Sequence, residues 1–74
     1  EDIGDYESAI ADMSEVLRLK PDSPVFYMER SRLYLLVQDT DRAIADLEQV
    51  LAITLDDKWV VPAKQLLSAL RQDG

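Results

Sequence analysis

The stretch AIADMSEVL at Ala9–Leu17 returns as AIADLEQVL at Ala43–Leu51, 34 positions further along a chain of 74 residues. Identical residues stand at the position pairs 5/39, 9/43, 10/44, 11/45, 12/46, 16/50 and 17/51. Within each copy the apolar residues recur at the three- and four-residue spacing of one face of an α-helix. The chain is therefore built on an internal repeat whose unit contains an amphipathic helix.

The segments around this repeat predict further helices with short connections. Gly4–Asp5 is expected to form the turn and cap of the first helix, which runs to Leu19 and stops before a proline. Ser23–Pro24 is typical of a cap followed by proline at the first helical position. The second helix is predicted to extend to about Val37. No period-2 run of useful length indicates a strand, so the sequence predicts an all-α fold.

Two acidic breaks delimit the third and fourth helices. Asp39–Asp41 is rich in capping residues and precedes the third helix, and Asp56–Asp57 separates it from the fourth. Pro62 leaves the start of the fourth helix open. It is either the first helical residue or part of the first turn of a helix capped by Asp57.

Composition excludes several classes of function. The chain carries 15 acidic and 8 basic residues, a formal net charge of −7 at pH 7. Nucleic acids and anionic membranes are bound by clustered Lys and Arg, so neither is an expected partner. No apolar run approaches the length of a membrane span, so no membrane insertion is expected. Cytoplasmic and periplasmic locations are both compatible with the sequence.

Residues for catalysis or metal binding are also missing. The chain has no His and no Cys, which removes the usual nucleophile–base pairs. DTDRAI at Asp39 begins like a calcium loop, but Ile44 stands where that loop needs glycine. The acid pairs Asp12/Glu15 and Asp46/Glu48 are interpreted as solvated helix faces. We therefore expect no enzyme activity, no cofactor and no metal.

With this repeat the sequence resembles the tetratricopeptide repeat family, whose 34-residue unit is a pair of helices, A and B. The matching residues are Tyr27, Ser31, Tyr34, Ala43, Leu47 and Val50 in one unit, and Gly4, Tyr6, Ala9, Met13, Val16 and Pro21 in the preceding half unit. The resemblance implies antiparallel helix-turn-helix repeats stacked as a short right-handed α-solenoid. It divides a single domain, 1–74, into helix B of an incomplete repeat (1–22), a complete repeat (23–56) and a C-terminal capping helix (57–74).

Three residues depart from the pattern of the family. Arg30 stands where leucine is usual, and we expect its stem to be buried and its head to stay in water. Gln38 replaces the glycine that usually makes the turn, and Leu55 replaces the proline that closes the unit.

The register of the last helix is ambiguous. A strict 34-residue spacing puts Val61 at the aromatic position and Gln65 at the small one. Removing two residues from the loop puts Trp59 and Ala63 there instead, which fits better. In either register Trp59 is expected to fill part of the core.

The resemblance implies a protein–protein interaction module that binds a peptide or helix of a partner, basic or apolar, on a concave face lined by the A helices. On this sequence the face would comprise Val25, Met28, Glu29, Arg32 and Leu36. Met28 would offer an adaptable apolar contact and Arg32 a donor for carboxylates or carbonyls. The alternative interpretation of these positions is an ordinary solvated face.

A second hypothesis is a structural one, in which the segment caps a longer solenoid and self-associates into a homo-oligomer. The first helix lacks its own A helix within the sequence, which would leave an apolar patch partly bare. The residues of that patch are Tyr6, Ile10, Met13 and Leu17.

Overall fold

A computed structural model of the chain describes residues 3–71. These residues form four helices: α1 (Ile3–Leu19), α2 (Pro24–Leu36), α3 (Thr40–Ile53) and α4 (Asp57–Arg71). No strand occurs within the described range, so the all-α prediction is confirmed. The outer residues of the first and last predicted segments, 1–2 and 72–74, lie outside the described part of the chain.

The first helix begins earlier than predicted. Because α1 starts at Ile3, Gly4–Asp5 lies inside its first turn, and the prediction that these residues form a turn and cap is wrong. An acid in the first turn is stabilised by the helix dipole, so Asp5 fits inside the helix as well as before it. The other end is as expected: the Lys20 amide donates to the Val16 carbonyl at 2.8 Å, and a proline follows.

A Schellman motif closes α2. The Gln38 amide donates to the Leu35 carbonyl at 3.0 Å, and the Asp39 amide donates to the Tyr34 carbonyl at 2.8 Å. This geometry requires a left-handed residue, and Gln38 supplies it with a φ of 64°. The turn therefore has the shape that glycine usually makes, although a residue with a Cβ atom occupies it.

Replacing Gln38 with glycine is expected to stabilise the fold by about 0.5–1 kcal/mol. A non-glycine residue in the left-handed region costs roughly 1–2 kcal/mol, and the extra entropy of glycine in the unfolded chain offsets part of that gain. In thermal unfolding followed by far-UV circular dichroism, Tm should rise by a few degrees. Gln38→Ala is the control, because alanine keeps the Cβ atom and should not raise Tm. Equal Tm values for the two variants would show that the left-handed backbone of residue 38 carries no strain.

Aspartates cap α3 and α4. An Asp39 carboxylate oxygen accepts from the Arg42 amide at 3.3 Å, and an Asp56 carboxylate oxygen accepts from the Lys58 amide at 3.0 Å. The fourth helix thus begins at Asp57, with Asp56 rather than Asp57 as the capping side chain. The sequence analysis placed a helix cap in each of these two acidic segments. The cap of α3 lies within its predicted segment, and the cap of α4 lies one residue earlier than the predicted Asp57.

Pro62 lies inside α4 as its sixth residue, so both predicted positions for it are wrong. Proline has no N–H and therefore withholds one hydrogen bond from the carbonyl of Lys58, four residues earlier. Lys58 is exposed, and water can reach this first turn. The helix continues through the proline because its later residues, Ala63 and Leu67, are buried in the core.

The helices pack in chain order. α2 lies against α1 and α3 and also touches α4, and α3 lies against α4. A core cluster joins α2, α3 and α4, and it consists of Met28, Leu47, Val50, Ala63 and Leu67. The connections between helices are three or four residues long, as expected for antiparallel neighbours.

The packing settles the register of α4. Ala63 is 0% exposed and Trp59 packs against the core cluster, whereas Val61 and Gln65 are exposed. Residues of α4 therefore correspond to residues of α2 at a spacing of 32, the alternative that removes two residues from the loop. Trp59 fills part of the core as expected, and the Lys58 ammonium lies 5.4 Å from the centre of its ring.

Candidate interaction surfaces

Arg30 of α2 ties three helices together. Its Nε and Nη2 atoms donate to the two carboxylate oxygens of Asp46 on α3, at 2.8 and 2.7 Å. Its Nη1 atom donates to the Ser14 hydroxyl on α1 at 3.0 Å. The expectation that the head of Arg30 stays in water is wrong, because the Asp46 carboxylate and the Ser14 hydroxyl together bind all three nitrogen atoms of the guanidinium.

Asp46 also differs from its predicted role. Its side chain is only 5% exposed, so it is not part of a solvated acidic face. Glu48 does lie at the surface, where it pairs with Arg71 of α4. Asp12 and Glu15 are exposed as expected, and Glu15 pairs with Arg18.

Two tyrosines flank the guanidinium of Arg30. The ring centres of Tyr27 and Tyr34 lie 5.7 and 5.6 Å from the Cζ atom of Arg30. The hydrogen bonds to Asp46 raise the pKa of Arg30 above its ordinary value, and partial burial acts in the opposite direction. The guanidinium is therefore charged at neutral pH, and its hydrogen bonds to Asp46 and Ser14 form a brace that fixes which side of α2 faces outward.

The outward side of α2 is a stripe of four exposed residues, Val25, Glu29, Arg32 and Leu36. They follow one another at four-, three- and four-residue intervals, which places them on one side of the helix. All four were predicted to bind a partner. The fifth predicted residue, Met28, is 5% exposed and lies in the core cluster, so its side chain is not available at this surface.

A matching stripe lies on α4 at the 32-residue spacing: Asp57, Val61, Lys64 and Ser68 are all exposed. Sequence analysis missed these residues, although the register that places Trp59 and Ala63 in the core would have found them. Because α2 and α4 are in contact, the two stripes lie on neighbouring helices. We call the eight residues together the α2–α4 face.

The α2–α4 face carries two acids and two bases in a chain that is acidic as a whole. Its bases, Arg32 and Lys64, occupy corresponding positions on the two helices. Neither forms an ion pair with another residue of the described range. Apolar side chains stand beside them, with Val25 37%, Val61 46% and Leu36 54% exposed. The face thus offers free hydrogen-bond donors together with apolar area.

A family model for the tetratricopeptide repeat matches residues 1–23 and 25–57. The chain belongs to the tetratricopeptide repeat (TPR) family. The matched ranges amount to about one and a half TPR units, α1 followed by the pair α2 and α3, which confirms the predicted family. Comparisons with curated proteins and with solved structures gave no significant match.

TPR units are in general protein–protein interaction modules, and the family is a non-catalytic scaffold family. Within residues 3–71 there is no enclosed pocket, and no group of three or more acidic, His or Cys residues could hold a metal ion. None of the described helices combines the length and the apolar character that a transmembrane helix needs.

The patch predicted for self-association lies on α1, the half TPR unit. Tyr6, Ile10 and Met13 are half-buried, and Leu17 is only 4% exposed. Since α2 is the described helix that α1 contacts, Leu17 is buried against α2. Leu17 therefore cannot contact a second copy while α1 remains packed on α2.

Proposed function

We propose that this TPR segment binds an extended peptide or a helix of a partner protein on the α2–α4 face. The observation that carries the proposal is the exposure of corresponding stripes on two neighbouring helices. Each stripe has a core-facing opposite side, so α2 and α4 are held rigidly while their outer residues remain accessible. A rigid, preformed surface binds a flexible ligand with a smaller loss of conformational entropy.

The chemistry of the face defines the class of ligand. The charges of its two acids and two bases sum to zero. Most of the binding free energy therefore comes from apolar side chains of the ligand that pack against Val25, Leu36 and Val61. Arg32 and Lys64 then orient the ligand by donating hydrogen bonds to its carbonyl or carboxylate oxygens. This narrows the expected basic or apolar ligand to an apolar one with exposed acceptor groups.

The test begins with a random peptide library displayed on phage and selected against the 74-residue chain. Selected peptides should bind the double variant Arg32→Ala, Lys64→Ala at least about tenfold more weakly, since hydrogen bonds to a charged donor contribute roughly 1.5–3 kcal/mol each. Fluorescence anisotropy with labelled peptide measures the affinities, and circular dichroism verifies that the variants remain folded.

The matched control is the double variant Arg18→Ala, Arg42→Ala. It removes two bases whose side chains are 67% and 71% exposed elsewhere on the molecule, and it causes the same change in net charge. Binding should change little in this control. Equal weakening in both double variants would mean that the peptides respond to overall charge, and the proposed face would then be abandoned.

A further inference from the structure

The exposed residues of α2 are arranged symmetrically about the middle of the helix. We call the four of them the α2 stripe: Val25, Glu29, Arg32 and Leu36. In chain order they are apolar, acidic, basic and apolar. The two apolar residues lie at equal distances from the midpoint of the stripe, and so do the acid and the base. Such a stripe is complementary to a second copy of itself that runs in the opposite direction.

Two-fold symmetry defines the contacts between two such stripes. When the α2 helices of two copies pack antiparallel about the midpoint of the stripe, Val25 of one copy lies opposite Leu36 of the second copy. Glu29 then lies opposite Arg32, and the symmetry repeats both contacts. The four-, three- and four-residue intervals of the stripe match the spacing of contact positions in a two-helix coiled coil. Side chains of the two copies can therefore interlock along α2.

The residues of the α2 stripe are available for these contacts. Glu29 and Arg32 are exposed, and neither forms an ion pair with any residue of the described range, although they lie three residues apart on one helix. Val25 and Leu36 are among the five large apolar side chains that are exposed within residues 4–71. The stripe thus presents an acid and a base without partners between two exposed apolar side chains.

Other pairings of the same surface bring unlike groups or like charges together. Two parallel α2 helices would place Glu29 opposite Glu29 and Arg32 opposite Arg32. A parallel pairing of the α2 stripe with the stripe of α4 would place Arg32 opposite Lys64. The antiparallel version of that pairing would place Leu36 opposite Asp57. Because opposed like charges destabilise an interface, the antiparallel pairing of two α2 helices is favoured.

We propose that two copies of the chain associate through the α2 stripe, with their α2 helices antiparallel and Glu29 of each copy bound to Arg32 of the other. Charge complementarity selects the second copy as the occupant, since every residue of the stripe meets a compatible residue. Four residues a copy are few beside the about 20–30 residues a side of a standard interface. The dimer is therefore weak and forms at high protein concentration.

The dimer covers the α2 half of the α2–α4 face. A peptide on that face and a second copy of the chain consequently exclude each other, and a selected peptide should convert the dimer into monomers. This consequence rests on the proposed function, whereas the dimer itself does not.

Sedimentation equilibrium of the full 74-residue chain, at concentrations up to about 1 mM, measures the association. Glu29→Arg and Arg32→Glu should each weaken it at least about tenfold, because each replaces two attractive contacts by two repulsive ones. Mixing the two variants should restore association, since all charged contacts between one chain of each kind again join opposite charges. This rescue would also show that both variants are folded.

Matched controls are Glu7→Arg and Lys20→Glu, which cause the same changes in net charge at exposed positions outside the stripe. Each should associate like the unchanged chain, and their mixture should associate no more strongly. Equal weakening in Glu29→Arg and Glu7→Arg would overturn the proposal. So would a mixture of Glu29→Arg and Arg32→Glu that associates no better than either variant alone.

Changes of amide shifts in the ¹⁵N spectrum on dilution locate the contact, and they should centre on Val25, Glu29 and Leu36. Shifts centred on Tyr6 and Ile10, in a dimer that Glu29→Arg leaves intact, would assign the contact to α1 and overturn the proposal. A chain that stays monomeric at about 1 mM would overturn it too. Neither result would affect peptide binding at the α2–α4 face. A dimer that obeys the charge swap, in a chain that selects no peptide, would instead contradict the proposed function alone.

Discussion

Replacing Asp46 with alanine is expected to remove about 3–5 kcal/mol of folding free energy. A chain of this size has a folding free energy of roughly 4–11 kcal/mol in total, so the variant should lose a large part of its stability. The change leaves the guanidinium of Arg30 partly buried between two tyrosine rings, with two of its three hydrogen bonds lost. Urea unfolding, followed by circular dichroism and by the fluorescence of Trp59, measures the loss.

Removing the other partner should have a similar effect. Arg30→Ala leaves the Asp46 carboxylate buried without the two donors that bind it, and burial of an unpaired charge has a cost comparable to that of the first variant. The double variant Arg30→Leu, Asp46→Leu should recover most of the stability, because replacing a buried pair by apolar residues is often close to neutral. A double variant as unstable as the single ones would show that the loss is due to packing and not to charge.

An exposed pair provides the scale for comparison. Glu48 and Arg71 connect α3 and α4 with side chains that are 52% and 54% exposed. Glu48→Ala should therefore cost no more than about 1 kcal/mol, since water screens the pair and competes for both groups. The contrast between the Arg30–Asp46 pair and the Glu48–Arg71 pair tests whether burial gives the Arg30–Asp46 brace its strength.

The helices themselves could be predicted because each repeat copy combines three signals: a helical period, a capping residue and a break. The misplaced boundaries involve residues with weak or conflicting preferences. Gly4 disfavours a helix by only about 1 kcal/mol, which the surrounding turn can offset. Pro62 disfavours it more strongly, by about 3 kcal/mol, but burial of Ala63 and Leu67 in the core stabilises α4 across it. Such tertiary contributions are not visible in a local window of sequence.

The surface residues were predicted in part for a similar reason. The family resemblance implied a binding face of five residues, and four of them, Val25, Glu29, Arg32 and Leu36, share an exposed stripe of α2. The resemblance could not show that the fifth, Met28, lies in the core. α2 is apolar on more than one side, and its neighbours decide which side is buried.

The Arg30–Asp46 brace was missed although its signal was present. Arg30 departs from the apolar residue that the family pattern expects, and Asp46 is an acid inside an otherwise apolar repeat frame. Each residue alone is explained by solvent exposure, as a snorkelling arginine or a surface acid. Opposite charges indicate an ion pair when both depart from the expected pattern and lie on helices that pack against each other. Considering Arg30 and Asp46 together would have predicted their ion pair.

Leu47→Ala is expected to be the most damaging apolar substitution, with a loss of about 3–5 kcal/mol. Leu47 is 0% exposed and belongs to the core cluster of α2, α3 and α4, where little can collapse into the space it leaves. The matched variant is Met13→Ala, at the corresponding position of α1. Met13 is half-buried, so its truncation should cost less than about 2 kcal/mol. Urea unfolding of both variants at one protein concentration gives the comparison.

The difference between these two losses measures how much less the described helices bury Met13 of α1 than Leu47 of α3. If the helices are stabilised by neighbours on both sides, a repeat position with two neighbours must lose more than its copy with one. Similar losses would indicate that another molecule covers α1 in solution, and unfolding at tenfold lower protein concentration would then separate the two cases. If the loss of stability in Met13→Ala becomes smaller on dilution, the chain associates through α1. A large loss that does not depend on protein concentration contradicts the weaker burial of Met13.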